Sequence, residues 1–343
     1  MPGDATSPPG LDLDRVAPYV AQVLSAEPVG LSASVIGGGR SNLTYLLTAG
    51  RAELVLRRPP LGHVLPSAHD MAREFRVISA LAKAGFPVPT PLLLCPETDV
   101  IGAPFYLMSY IDGLVLRAPR EYERLTPAIG RRCGEQLVDV LLDLHRVDYL
   151  AVGLADFGRP DGYLRRQVTR WQQQWQRSQT RELPVLDDVI EALLASVPAA
   201  ATAGIVHGDY RLDNVVFDHD ISGIIAVLDW EMATIGDPLA DVGLLVAYTE
   251  LAAEGLSLAA PPPSAGSGFP TAAELAERYA KSSAAELDRL DWYVGLAYYK
   301  LAIIAEGIHA RYLQGKTLGE GFETLGPLVP TIAGRAAAAL RVR

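Results

Sequence analysis

The spacing of apolar positions changes character along the chain, and each change marks an element. Residues 11–26 place Val16, Tyr19, Val20 and Val23 on one face at helical spacing, behind Asp12 or Asp14 as a start signal, and read as an amphipathic helix. The runs Leu31 to Ile36, Leu43 to Thr48 and Glu53 to Arg57 are short and β-rich. They are divided by Gly37-Gly38-Gly39 and by Ala49-Gly50, the punctuation of antiparallel hairpins. A helix over Ala68 to Ala84, closed by Gly85 and Pro87, precedes two strand-like runs, Pro89 to Cys95 and Pro104 to Tyr110, which flank a turn at Asp99 and Gly102. Asp112-Gly113 then forms a natural boundary. Beyond it the pattern is mainly helical: Pro127 to Arg146, Tyr163 to Arg177, Asp187 to Val197, Pro238 to Glu250, Ala272 to Lys281, Ala285 to Gly307 and Pro330 to Arg341. Three short β-rich runs interrupt the helices, at Ile205-Val206, Val215 to Phe217 and Ile224 to Leu228. The expected organisation is a tail and helix over 1–27, a small sheet domain over 28–111 and a larger helical domain over 112–343.

Composition narrows the classes. At 49% apolar and 20% charged residues, the 343-residue chain is a folding composition and not a disordered one. No apolar run approaches the roughly 18 to 20 residues of a membrane span, since Lys300 and Pro198 break the two longest candidates. The first residues lack the basic and apolar regions of a secretory signal, and only two cysteines are present, so a reducing cytoplasm is expected. The net charge of −10 lies almost wholly beyond residue 110. Such an acidic part argues against nucleic acid as a partner. The basic residues are nearly all arginine, the lysines being Lys83, Lys281, Lys300 and Lys316.

The strongest chemical signal is His207-Gly208-Asp209-Tyr210-Arg211-Leu212-Asp213-Asn214, followed by Val227-Leu228-Asp229-Trp230-Glu231. Phosphoryl transfer needs a carboxylate to orient or deprotonate an acceptor hydroxyl, and separate oxygen ligands to hold magnesium on the nucleotide phosphates. A loop carrying Asp209 and Asn214, and a strand ending at Asp229, supply both kinds of group. The pattern H-x-D-x-x-x-x-N with a later Asp is that of kinases. A bland alternative is a turn built from good turn formers.

On these residues the chain resembles the aminoglycoside phosphotransferase-like family of small-molecule kinases, from about Val35 to about Arg311. The resemblance implies an α+β, bilobal protein-kinase-like fold with a small antiparallel-sheet N-lobe and a larger helical C-lobe. It implies ATP and Mg2+ as cofactors, Asp209 as catalytic base, and Asn214 and Asp229 as magnesium ligands. His207 would be structural, with a catalytic role as the alternative. Gly38, Gly39, Ser41 and Asn42 fall in the nucleotide-covering loop. Arg57 stands where kinases carry a phosphate-binding lysine, with Glu74 as its ion-pair partner and Arg58 as a register alternative. An arginine keeps the charge and can bind phosphate bidentately, which favours a working substitution. Met108, with the backbone of Ser109 and Ile111, resembles the adenine-binding hinge, although a buried edge strand describes the same residues.

The acceptor is less defined. Glu231 could assist the metal, bind substrate or be a solvated acid, and Trp230 lies beside it. The helix Tyr163 to Arg177 bears Arg165, Arg166, Arg170 and Arg177 and no acid. Its Arg166 and Arg170 are candidates for an anion-binding wall, against a reading in which Trp171 and Trp175 face the core and the arginines face solvent. Asp237 and Pro238 read as the cap and first residue of a helix, and Asp241 as a tie to the catalytic loop. The helix and the segment YYKLAIIAEGIHARYLQG look most like the phosphotransferases related to the kinase domain of acyl-CoA dehydrogenase fusion proteins, which implies a hydroxyacyl-CoA or similar small-molecule hydroxyl acceptor. An aminoglycoside-modifying kinase, a nucleotide-binding pseudokinase with Arg57 as its lesion, and a metal hydrolase on His207, Asp209 and Asp229 are the alternatives.

Overall fold

The structure, a computed structural model, describes residues 7–36, 42–61, 70–117, 119–199, 202–256, 258, 265–283, 285–315 and 322–342. The chain divides into two compact units, one running to Asp112 and including Ala226–Glu231, the other comprising Gly113–Ile225 and Met232 onward.

The first unit holds helix α1 (Leu13–Leu24), strands β1 (Ser32–Val35), β2 (Leu43–Ala49) and β3 (Ala52–Arg58), helix α2 (Met71–Lys83) and strands β4 (Pro91–Cys95) and β5 (Phe105–Ser109). The strands form one antiparallel sheet in the order β1-β2-β3-β5-β4. Gly50, at φ 62°, sits in the two-residue loop between β2 and β3, where a tight hairpin needs a positive φ. Side-chain alternation then sorts the sheet's faces. Tyr45, Leu47, Leu54, Leu56, Phe105 and Leu107 pack with Val16 and Val20 of α1 in one core, so α1 belongs to this unit. The opposite parity carries Val55, Arg57, Tyr106 and Met108 toward α2, where Phe75 meets Tyr106 edge-on at 5.9 Å. Asp12 caps α1 and Asp70 caps α2, each carboxylate accepting the backbone N–H three residues on. The cap at Asp70 starts α2 at Met71, later than Ala68.

The second unit contains a short turn of helix, α3 (Pro119–Tyr122), then α4 (Pro127–Arg146), α5 (Tyr163–Ser178), α6 (Val185–Ala195), β6 (Gly204–Val206), β7 (Val215–Phe217) and β8 (Ile224–Val227), the last running on into the first unit. There follow β9 (Thr234–Gly236), α7 (Leu239–Ala253), α8 (Ala272–Ser283), α9 (Leu290–Leu313) and α10 (Leu325–Ala339). β6 pairs antiparallel with β9, and β7 forms a hairpin with β8. β9 was not expected from the sequence. The central helix α9 is buried on nearly all sides, and Trp171, Trp175, Trp292, Tyr293, Tyr298 and Tyr299 lie in its core. Gly243 of α7 lets that helix approach α9 closely, since a Cβ there would sit 2.6 Å from the Tyr293 backbone.

Two helix ends differ from expectation for identifiable reasons. Gly307 does not end α9; the helix continues until Gly315, which adopts the left-handed φ of 65° that a helix C-terminus favours. Pro330 does not begin α10; the helix starts at Leu325, and Pro330 sits inside it. The proline cannot donate to the carbonyl four residues back, Gly326, and the Arg181 guanidinium takes that carbonyl instead at 3.0 Å. Arg181 also pairs with the fully buried Glu306 of α9 at 3.1 Å, while the Thr180 N–H and hydroxyl donate to the same carboxylate at 2.6 and 2.8 Å. No described helix is long and apolar enough to cross a membrane. Replacing Arg181 leaves a buried carboxylate and an orphaned carbonyl together. Arg181→Ala is expected to lose about 3 kcal/mol of stability in urea unfolding, with a loss under 1 kcal/mol counting against this role.

Candidate active site

In the first unit a single guanidinium gathers three carboxylates. Arg57, on the α2 face of β3, places Nε 3.1 Å from Glu74 Oε1, and Nη2 lies 2.5 Å from Asp229 Oδ1 and 3.7 Å from Glu231 Oε2. Register follows from sheet parity: Arg58 points to the α1 side and donates to the carbonyls of Gly10 and Ile101. Of the two arginines Arg57 is therefore the one that reaches Glu74, and the expected pairing is formed. Burial works against the guanidinium's charge, but Glu74, Asp229 and Glu231 outweigh it and hold Arg57 protonated more firmly than usual. Burial is also what pushes Glu74 up, to about 7, Arg57 only partly offsetting it while Asp229 and Glu231 add to the rise. Asn42 enters the same cluster, its amide donating to Glu231 at 3.0 Å and reaching Glu74 at 3.4 Å. Asp229 itself adopts a left-handed φ of 67°, a conformation uncommon for a residue other than glycine.

In the second unit the loop after β6 is held from below by one carboxylate. Asp241, buried on α7, accepts the His207 N–H at 2.7 Å through Oδ2 and the Gly208 N–H at 2.8 Å through Oδ1. Burial alone would raise this acid; hydrogen bonding and charge from His145, the nearby His207 and the Gly208 amide bring it below the usual range instead. Gly208, at φ 82°, passes so close to Met232 that a Cβ would lie 2.8 Å from its carbonyl oxygen. His207 is fully buried and its Nδ1 accepts the Asp209 N–H at 3.1 Å, so it shapes the loop. Asp237 lies one residue outside the cap position, which Pro238 takes, and its carboxylate still accepts the Leu239 N–H at 3.0 Å at the start of α7.

Asp209 emerges from this turn with its carboxylate oriented by three groups. The Tyr248 hydroxyl donates to Oδ1 at 2.7 Å, the Asn214 amide to Oδ2 at 3.1 Å, and Arg211 Nε lies 3.3 Å from Oδ2. Arg211 also pairs with Asp213 at 3.1 Å and stacks over the Tyr248 ring at 5.4 Å. Burial, then the charge of Asp209, push the Tyr248 phenol well above its ordinary value, so it remains a donor. Lys300 of α9 donates to the Gly208 carbonyl and lies over the Trp171 ring at 5.5 Å. Its pKa is lowered by burial, against the pull of Asp209 and Asp241. Arg211 was within sight of the motif. Tyr248 and Lys300 were not, and the one available signal was a lysine retained inside an apolar helix of an arginine-dominated chain.

The other expected residues fall as follows. Gly38, Gly39 and Ser41 lie outside the described residues. Met108 is buried in β5, paired with Val55 and Pro91. The Ser109 N–H is already donated to the Thr90 carbonyl at 2.9 Å, so of that residue's backbone only the carbonyl is left to offer a ligand, and Ile111 follows the strand end. Trp230, expected beside the acceptor, is instead a core side chain: it is buried against Phe86 and its indole N–H donates to the Val227 carbonyl at 2.9 Å. Arg166 is spent on the carbonyls of Arg159 and Asp161 at the start of its own helix. Arg170 is exposed and lies over Trp171 at 5.9 Å.

Among the described residues no group of three or more His, Cys, Asp or Glu side chains could by itself hold a metal ion. Magnesium does not require one, since it keeps several waters and is held by one or two side chains together with substrate phosphates. Asn214 suits such a role: its amide nitrogen is committed to the Asp209 carbonyl at 2.9 Å and to its carboxylate, which leaves the oxygen as the end able to ligate.

The profile of the phosphotransferase enzyme family matches residues 32–293, and the chain belongs to that family. It is 35% identical over 298 residues to acyl-CoA dehydrogenase family member 10 of Mus musculus, covering 86% of this chain and 28% of that protein. The chain spans between 28% and 40% of the length of such curated relatives. Among solved structures, a protein of Ralstonia eutropha JMP134 described as a candidate aminoglycoside phosphotransferase superposes with a TM-score of 0.80 and 29% identity, over 96% of this chain and 98% of that one. An aminoglycoside phosphotransferase APH(4)-Ia, solved with AMP-PNP and hygromycin B, shares the fold at a TM-score of 0.62 and 16% identity, over 95% and 98%. The fold is therefore the α+β, protein-kinase-like one of the phosphotransferase enzyme family.

The raised Glu74 has a measurable consequence. Its stability contribution is complete below about pH 4.5 and is lost as pH rises through about 7, because the folded chain holds that proton more tightly than the unfolded chain. In the nucleotide-free protein, Glu74→Gln should flatten the fall in melting temperature across that window; parallel profiles for the two proteins would contradict the shift.

Proposed function

We propose that the chain transfers the γ-phosphate of Mg-ATP to an alcohol of a small molecule. The observation that carries this reading is the Asp209 carboxylate, fixed by Tyr248, Asn214 and Arg211 on a loop that Asp241 pins. A base whose two oxygens are oriented by donors is set to align an acceptor hydroxyl, which is the main demand of a loose phosphoryl-transfer transition state. In the reaction the acceptor oxygen bonds to the γ-phosphorus as the bond to the ADP oxygen breaks, and the hydroxyl proton passes to Asp209. Arg57, steadied by Glu74, is the cation for the nucleotide phosphates. Asp229 and Asn214 would each offer an oxygen to magnesium, which neutralises phosphate charge when bound. Nucleotide use is supported by the fold-mates solved with AMP-PNP and with ADP.

For the acceptor we favour a hydroxyacyl-CoA or a related metabolite, because the curated relatives are named as acyl-CoA dehydrogenase family members. An aminoglycoside is the second reading, favoured by the fold-mates' own ligand and by the acidic charge beyond residue 110. A pseudokinase is disfavoured by the intact Arg57–Glu74 pair.

The test is acceptor-stimulated ADP formation, with a panel of short hydroxyacyl-CoAs on one side and hygromycin B and kanamycin on the other. Stimulation by a hydroxyacyl-CoA is expected, falling by about 100-fold or more in Asp209→Asn, the scale of losing a positioned base. Mg-ATP binding in both proteins without stimulated turnover in either would support the pseudokinase, and stimulation by the antibiotics alone would support the second reading.

A further inference from the structure

Asn42 follows the run Gly37-Gly38-Gly39-Arg40-Ser41 directly, yet its side chain is 7% exposed and does not behave as a loop residue. One amide group spans two acids from distant parts of the sequence, Glu231 at 3.0 Å and Glu74 at 3.4 Å. Glu231 stands two residues beyond Asp229 and lies 3.7 Å from Arg57. The Asn42 carbonyl oxygen is buried with no hydrogen-bond partner among the described residues. A buried acceptor left unmade is costly and calls for a donor. The side chain thus has its donors committed to the acid cluster and an acceptor held in reserve, at the point where the chain leaves the glycine run. An aspartate here would face two carboxylates, and an aliphatic residue would leave them without the bridging donor.

We propose that Asn42 and Glu231 are positioning residues for nucleotide binding, a latch that ties the residue after the glycine run to the strand end carrying Asp229. Glu231 then serves the nucleotide side of the reaction by accepting a hydrogen bond, and not the acceptor by contacting substrate. The inference rests on the nucleotide-binding half of the function proposed above.

Calorimetric titration with AMP-PNP, in magnesium and separately in EDTA, tests it without any acceptor. Asn42→Ala and Glu231→Ala should each weaken binding by about tenfold in both conditions, the scale of one hydrogen bond to a charged group. The double variant should lose clearly less than the product of the two single losses, because both remove the shared Asn42–Glu231 contact. Glu231→Gln keeps an acceptor oxygen and should stay within about twofold of the wild type, while Asn42→Asp should bind more weakly than Asn42→Ala through added like charge. Near-UV circular dichroism checks that each variant is folded, and Glu231→Gln carries the test if the alanine variants are not. A Glu231→Gln loss seen with magnesium and absent in EDTA would make Glu231 a metal ligand and overturn the latch. Affinities unchanged in Asn42→Ala, or single losses that multiply in the double variant, would also overturn it. A wild type that binds no AMP-PNP under either condition would defeat the nucleotide reading itself, and the latch with it.

Discussion

The buried carboxylate of Asp241 sets the geometry on which the loop after β6 depends. Two consecutive backbone N–H groups, of His207 and Gly208, point at its two oxygens, and that demand fixes the direction in which the chain leaves β6. The His145 ring lies 3.4 Å from the same carboxylate and itself meets Tyr279 at 2.7 Å, so the acid is supplied with partners on every side given to it. A charge this deep is tolerable only when hydrogen-bonded and compensated. Once satisfied, it becomes an anchor with little freedom to move. The left-handed Gly208, the buried His207 and the outward-facing Asp209 all follow from it.

Around Asp209 the same logic is extended by elements far away in sequence. Tyr248 comes from α7, the helix that also carries Asp241, so one rigid element both anchors the loop and aims its functional carboxylate. Lys300 comes from α9 and holds the carbonyl of the glycine whose N–H Asp241 holds. Polar groups of one peptide segment are thereby gripped from two helices, and the loop becomes a fixed part of the helical core. Fixed geometry is what a phosphoryl transfer mostly asks of a protein, because there is little covalent chemistry for side chains to do.

The other cluster shows how many acids one arginine can meet. A planar guanidinium offers several N–H groups in one plane, and Arg57 uses them to meet Glu74, Asp229 and Glu231 together. An ammonium is a point charge on a flexible stem and has no comparable fork. Arg57 is therefore matched by surroundings with more acids than a single lysine pair would need. Asn42, donating to two of them, lets like charges share a buried space that Coulomb repulsion would otherwise open.

Much of this was legible in the chain. Short β-rich runs set off by turn residues pointed to the five strands of the small sheet, helical spacing to α1, α4, α5 and α8, and the motif at 207–214 with Asp229 to the chemistry, because each is a local pattern. Arg57 against Arg58 was left open by the residues alone and was decided by strand parity, since adjacent side chains face opposite sides of a sheet. The helix end at Gly307 was misplaced because a glycine keeps its N–H and can continue a helix, and the start at Pro330 because a proline can sit inside a helix when another donor takes the freed carbonyl, as Arg181 does for Gly326. Trp230 next to the motif proved to be core, and Tyr248 and Lys300 far from it proved to touch the loop that carries it. Sequence by itself determined the class of chemistry, which resides in residue types and short spacings. Only tertiary structure decided which distant side chains orient those residues, because a hydrogen bond of about 3 Å joins positions dozens of residues apart and leaves no period in the chain to be read.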